Sequence, residues 1–274
     1  MTPKPDEMRA WRLYSDLGNS TLHWAAYQGQ RWRTQGRLPT DALDERDTVE
    51  RTVSELGAAG LEREACGGSA LVTSRPRLAE VGERILGEVC GKPPLVLGRD
   101  MRSELPVEYY DAAQIGQDRL AAAEGALARF PPPLVLLGFG TCVTAEAISA
   151  EGVLVGGAIA PGLEAQLAGL RAMVPHLREA IEEAALAARG EGTPPRVGRS
   201  TAESLWLGLL GALAGTAERL VSLMREQVGE QAQALATGGD AALVAAHAAV
   251  IDRVEPMLVL EGLRAIDERQ SAEE

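Results

Sequence analysis

The chain reads as a tandem α/β protein, two halves built on one plan, and three observations predict it. Each half opens with short extended segments and continues in alternating helical and extended stretches. A proline run at residues 131–133 breaks the chain where the plan restarts. The turns that open the halves also share a composition: Asp16, Gly18, Asn19 and Ser20 in the first, and Gly138, Gly140 and Thr141 in the second. The boundaries that follow are 9–130 and 131–266.

In the first half, WRLYSDLGNSTLHWAAYQGQRWRTQGRL predicts two or three antiparallel strands, with a hairpin at Gln28–Gly29. A helix follows over TDALDERDTVERTVSELGAAG, with Thr40 or Asp41 as its N-cap and Gly57 or Gly60 near its end. SALVTS is a short strand, PRLAEVGERILGEV a helix and PPLVLG another strand. DAAQIGQDRLAAAEGALARF is helical in its second part.

The second half restarts with LVLLGFG, CVTAEAIS and VLVGGAIA, three successive strands joined by short turns. The four apolar side chains of LVLL suit a strand buried on both faces. PGLEAQLAGLRAMV predicts a helix with Pro161 at an early position. ARGEGTPPRVGRS is a loop, and TAESLWLGLLGALAGTAERLVSLMREQ a long helix with its apolar residues crowded on one side. QALAT and PMLVL read as strands, and EGLRAIDERQ as a closing helix.

Composition narrows the function. The 274 residues hold 46% apolar and 24% charged side chains, as in ordinary globular proteins. A net charge of −12 without a basic run argues against nucleic acid as a partner. No uninterrupted apolar stretch reaches the length of a membrane span, and MTPKPDEMRAWR has no apolar signal core, so no membrane role is expected. Cys66, Cys90 and Cys142 lack metal spacing and read as free thiols of a reducing cytoplasm. His23, His176 and His247 have no ligand spacing either. GEVCGKP does not fit the glycine–lysine phosphate loop, and no serine-nucleophile elbow is present.

The chemistry lies in the opening turns. A phosphate-gripping hairpin needs glycine for close approach, backbone N–H groups and hydroxyls as donors, and a carboxylate to hold a metal. The Asp16–Ser20 stretch has all of these, and the Gly138–Thr141 stretch lacks only the acid. One such string by itself is ordinarily an Asx-rich hairpin turn. Two of them, each opening an α/β half, leave the plain turn and phosphate binding as equal readings of the pattern alone.

From about residue 11 to 266 the sequence resembles the bacterial type III pantothenate kinases, members of the acetate kinase/Hsp70/actin-like superfamily. Asp16-Leu17-Gly18-Asn19-Ser20 is similar to the family's first phosphate loop, and YYDAAQIGQDR to its tyrosine followed by G-x-D-R. GGAIAPGL resembles its G-G-x-I-x-P-G stretch, GRSTAESLWLG its G-x-x-T helix start, and TGGD its adenosine-side turn. The fold implied is two tandem RNase H-like, actin-like ATPase domains with a nucleotide cleft between them. The reaction implied is ATP-dependent phosphorylation of pantothenate, the first step of coenzyme A biosynthesis, with Mg²⁺ and a monovalent cation, K⁺ or NH₄⁺, in a cytoplasmic homodimer.

Residue by residue, the resemblance makes Asp118 the general base that accepts the hydroxyl proton. Tyr109, Gly116, Asp118, Arg119 and Thr201 become pantothenate-binding positions. Asp16, Gly18, Asn19, Ser20, Gly140, Thr141, Gly238 and Gly239 become nucleotide-binding positions, with Asp16 beside the Mg²⁺-bound phosphates. The helix from Thr201 to Arg225, lined with glycine and alanine, is the expected contributor to a dimer.

Two departures stand out. Gly138 occupies the place of the family's second-loop aspartate, with Glu146 eight residues on where a second aspartate is usual. His23 stands where close relatives often carry lysine. Removing one charge-handling group from a phosphoryl-transfer site lowers the rate by ~10²–10³. A weakened kinase is therefore the first reading. A degenerate ligand-binding or transcriptional accessory relative is the alternative.

Overall fold

The computed structural model describes residues 10–40, 43, 45–190 and 192–272. They form two compact units. The first comprises the chain up to Leu105, Tyr110–Phe130, and everything from Met257 onward. The second comprises Pro106–Tyr109 and Pro131–Pro256.

In the first unit, β1 (Trp11–Leu17), β2 (Thr21–Gln28) and β3 (Arg31–Pro39) make an antiparallel meander. Next come α1 (Glu45–Ala58), β4 (Cys66–Thr73), α2 (Pro76–Cys90), β5 (Leu95–Val96) and α3 (Gln117–Leu127). The strand order is β3-β2-β1-β4-β5, with β4 parallel to β1 and β5 parallel to β4. Alternation along β1 sends Leu13 and Leu17 to one face, where Leu56 of α1 and Ile85 and Val89 of α2 cover them. Tyr14 points to the other face, with Ala25, Ala70 and Val72, against Ala121 of α3 and the closing helix α8 (Leu258–Ser271).

α3 and α8 touch backbone to backbone. A Cβ on Gly125 would fall on the Leu258 carbonyl, and one on Gly262 on that of Ala121. Buried charges tie α8 to the sheet: Asp267 pairs with Arg12 at 2.8 Å and accepts from the Tyr14 hydroxyl at 2.8 Å. Glu124 of α3 accepts from Arg269 of α8 at 2.9 Å and from the Ser103 hydroxyl at 2.8 Å. This brace fixes α3 against α8.

The second unit repeats the topology. β6 (Leu134–Phe139), β7 (Cys142–Ile148) and β8 (Leu154–Pro161) form the antiparallel meander. β9 (Gln233–Thr237) runs parallel to β6, and β10 (Arg253–Val254) parallel to β9. Written from the meander outward, the order β8-β7-β6-β9-β10 matches that of the first sheet. Val135, Leu137, Phe139, Val143 and Ala145 face a core filled from α4 (Leu163–Met173), α5 (Arg178–Arg189), α6 (Thr201–Val228) and α7 (Ala241–Ala245).

Several expectations need correction. Leu258–Leu260, read as part of a strand, opens α8, because a short continuous apolar run carries no period to separate strand from helix. Pro161 ends β8 instead of lying within a helix, and Gly162 occupies the N-cap of α4. Thr40 does not cap α1, which begins at Glu45; Asp41 lies outside the described residues. The absence of a membrane-length segment also fails for α6, where an 18-residue window reaches mean hydropathy 1.3. Glycine and hydroxyl residues interrupt an apolar run without making it polar. Leu209, Leu213, Ala217 and Val221 of α6 pack into the unit's core, which accounts for its apolar side.

Candidate functional site

In the first unit the turn between β1 and β2 spans residues 18–21, closed by the Gly18 N–H donating to the Thr21 carbonyl at 3.0 Å. Thr40 braces it from beneath: its N–H donates to the Ser20 carbonyl at 3.0 Å and its hydroxyl to the Gly18 carbonyl at 3.3 Å. Thr73 donates to the Leu17 carbonyl at 2.8 Å, and Arg75 to that of Asn19 at 3.3 Å. Asn19 and Ser20 are exposed at the tip. The carbonyls point back into the protein, so the tip is left with donors. This is the polarity an anionic phosphate requires.

Asp16 sits on the strand just before the turn. It faces His23 on β2, which in turn faces Arg37 on β3, so the three form one row across the meander. Burial, helped by the Asp118 carboxylate and opposed by Arg37, pushes Asp16 up to about 7. Its Oδ1 is sealed from water and has no hydrogen-bond partner among the described residues. A buried acceptor in that state fits a cation, which would satisfy the lone pairs and offset the desolvation. His23 accepts from or donates to Gln35 at 3.0 Å, and burial holds it below the usual histidine range, hence neutral near pH 7.

Asp118 occupies the first turn of α3, one residue after Gln117 and two after the Gly116 N-cap. Its carboxylate folds back onto the backbone N–H groups of Asp118 and Arg119, which favour the charged form, yet burial dominates and raises it. Gly116 makes this possible: a Cβ there would lie 2.5 Å from Asp118 Oδ1. A side chain at 116 would therefore displace the Asp118 carboxylate from this position. The structure brings Asp16 and Asp118 close enough to repel, so a pair of carboxylates with raised pKa values is assembled from residues a hundred positions apart.

Tyr109 lies in the second unit. Residues 106–109 belong to the second unit, where Val107 bridges Leu154 and the Glu108 N–H donates to the Leu154 carbonyl at 2.9 Å. Arg119 follows Asp118 in the first unit. Thr201 is the first residue of α6, exposed, while Ser200 provides the cap by accepting from the Glu203 N–H at 3.1 Å.

The second turn spans residues 140–142, and the Gly140 N–H donates to the Cys142 carbonyl at 3.0 Å. Two glycine backbones clasp it. The Gly162 N–H donates to the Thr141 carbonyl at 3.0 Å, and a Cβ on Gly162 would meet the Gly140 carbonyl. Gly238, at φ +101°, lies against Phe139 so closely that a Cβ would strike its carbonyl. Gly239 has open space beside it. Asp240 closes the turn, its N–H donating to the Phe139 carbonyl at 3.3 Å. The glycine-rich stretches at 156–163 and 237–240 thus converge on the Gly138–Thr141 turn. Nothing in their spacing marks Arg37, Thr40 and Arg75 as site residues; sheet register brings Arg37, and hydrogen bonds bring Thr40 and Arg75, to the first turn.

A family model for type III pantothenate kinase matches residues 12–223. The type III pantothenate kinase of Moorella thermoacetica is 30% identical over 261 residues, 94% of this chain and 99% of that protein. That of Roseiflexus castenholzii is 31% identical over 260 residues, 93% of this chain and 98% of the relative. Among solved structures, the activator of 2-hydroxyisocaproyl-CoA dehydratase from Clostridium difficile, with bound ADPNP, aligns with a TM-score of 0.57. It is 13% identical, and the match covers 96% of this chain and 97% of that one. This likeness is one of fold, two tandem actin-like α/β domains.

Proposed function

The chain belongs to the type III pantothenate kinase family, and from that premise we propose that it transfers the γ-phosphoryl group of ATP to the primary hydroxyl of pantothenate. The observation that carries this reading is the carboxylate pair. Asp118 is held over Gly116 at a helix start, and Asp16 beside it presents a sealed oxygen without a partner among the described residues.

Phosphoryl transfer asks the protein for positioning and charge neutralisation. Asp118 takes the proton of the attacking hydroxyl, and its raised pKa brings it nearer the range where a carboxylate is an effective base. Arg119 holds the anionic end of pantothenate through its guanidinium fork, with Tyr109, Gly116 and Thr201 as further contacts. Asn19, Ser20 and Thr141 donate to phosphate oxygens, while Gly18 and Gly140 keep the backbone bare for close approach. Gly238 and Gly239 lie along the adenosine. Asp16 would hold Mg²⁺, which when bound neutralises charge on the phosphates. A K⁺ or NH₄⁺ requirement, a cytoplasmic location and a homodimer complete the reading. Gly208, Gly211, Ala212 and Gly215 of α6 are exposed, and a Cβ on any of the three glycines would meet nothing within 4 Å, so this face has room for a second copy at close range.

The test is ADP release by purified protein with ATP, Mg²⁺ and a potassium salt. Pantothenate-dependent turnover is expected; its absence overturns the proposal. Light scattering should give twice the 29.0 kDa chain mass.

A further inference from the structure

Every carbonyl from Leu17 to Thr21 accepts a hydrogen bond, and among the described residues only that of Asn19 accepts it from a charged group, the Arg75 guanidinium. We propose that Arg75 is a phosphate-binding residue, gripping the anionic oxygens of the nucleotide at the tip of the first turn. The inference rests on the kinase reading above and adds a residue to it.

Two ties fix where the guanidinium stands. The Thr73 hydroxyl donates to the Leu17 carbonyl at 2.8 Å and accepts from the Arg75 N–H at 3.0 Å. Thr73 also pairs with Leu17 in the parallel register of β4 and β1, so the main chain of Arg75 is held beside the root of the turn. From there Nη1 reaches the Asn19 carbonyl at 3.3 Å. The bonds to the Leu17 and Gly18 carbonyls are partly buried, whereas the bond to Asn19 lies in solvent, and Asn19, Ser20 and Arg75 are all exposed. The guanidinium therefore stands at the rim of the tip and not beneath it.

Charge gives the second reason. An exposed carbonyl is a poor neighbour for a phosphate, because both present electronegative oxygen. Water would satisfy that carbonyl; a guanidinium satisfies it and reverses the local sign. One N–H is spent on Asn19, and the rest of the fork is left to donate. The charge is also uncommitted. In the same unit Arg84 pairs with Glu45 and Arg99 with Glu83, while Arg75 has no carboxylate partner among the described residues. A chain of net charge −12 repels a polyphosphate at long range, so an unpaired arginine at the turn is where that repulsion is locally overcome.

The test compares Arg75→Gln and Arg77→Gln with the wild type. Arg77 is equally exposed, two residues along, and makes no hydrogen bond to the turn among the described residues. Titration calorimetry measures binding of ATP, inorganic tripolyphosphate and adenosine, and pantothenate-dependent turnover is read in parallel. Glutamine keeps a neutral N–H for the Asn19 carbonyl and loses the charge, so the melting temperature should move by no more than about 1 °C. Arg75→Gln should bind ATP and tripolyphosphate about tenfold more weakly, with the KM for ATP rising in step. Its affinity should also depend less steeply on salt. Adenosine binding should not change, and Arg77→Gln should match the wild type throughout. Unchanged ATP and tripolyphosphate binding by Arg75→Gln overturns the proposal. So does an equal loss in Arg77→Gln, which would make the effect one of distant charge, or an equal loss for adenosine, which would make it one of turn structure. Wild-type protein that binds ATP but does not turn over would instead refute the kinase reading and leave the Arg75 assignment standing; wild-type protein that binds neither ATP nor tripolyphosphate overturns both.

Discussion

The first and second opening turns are the same device with different wiring. Both join the first two strands of an antiparallel meander, and both sit at the end of the strand that starts the parallel part of the sheet. The first is four residues, 18–21, and is braced by side chains, Thr40, Thr73 and Arg75. The second is one residue shorter, 140–142, and is clasped by glycine backbones at Gly162 and Gly238. In the first the acid stands on the outgoing strand; in the second that place is empty and the nearby acid stands on the returning one. One topology therefore carries two different placements of acid, while the bare glycine backbone at the turn stays fixed.

The largest effect should come from Asp118→Asn, which removes the base and should lower kcat by ~10²–10⁴. Melting temperature should not fall, since a buried carboxylate is exchanged for a neutral amide of the same shape. A coupled ADP assay with a parallel thermal melt measures both.

Asp16→Asn separates function from stability. Activity should drop by ~10²–10³. The wild-type carboxyl titrates at about 7 in the folded state against 3.8 for an ordinary aspartate, so between these pH values the folded protein holds the extra proton. Stability of the wild type therefore falls as pH rises from about 4 to about 7, and is flat above. The amide in the variant has no such titration. The variant should match the wild type below about pH 4 and exceed it above about pH 7 by on the order of 1–3 kcal/mol. Urea melts across that range read the difference, and parallel curves would refute the burial argument.

Gly238→Ala against Gly239→Ala sharpens the account of the second turn. The first forces a side chain into left-handed backbone and onto the Phe139 carbonyl, and should cost about 2 kcal/mol or more. The second meets open space and should change stability by less than about 0.5 kcal/mol while raising the KM for ATP. Denaturant midpoints and nucleotide titrations distinguish them.

The smallest effect concerns the brace under the first turn. Thr40→Ala removes the hydroxyl bond to the Gly18 carbonyl and should destabilise by about 0.5–1 kcal/mol. Only the KM for ATP should rise with it, about twofold by the same free energy shared with binding. The second turn offers no equivalent, because its contacts are main chain.

Local pattern along the chain was enough for the plan: the strand–turn–strand openings, the long helix from Thr201, the restart after the prolines, and the residues of both turns. These features are set by side-chain period, by glycine at turns and by proline breaks, and they survive without knowledge of the rest of the chain. Partnership came only from packing. Residues 106–109 join the second sheet's edge, and α8 returns to pack on α3 through Gly125 and Gly262. Asp118 comes to repel Asp16, and Thr144 and Thr237 flank Gly138. Each depends on backbone register or close approach that spacing along the chain does not encode. A single sequence carries no periodic trace of that, because the contacts are fixed by the packed core and not by spacing along the chain.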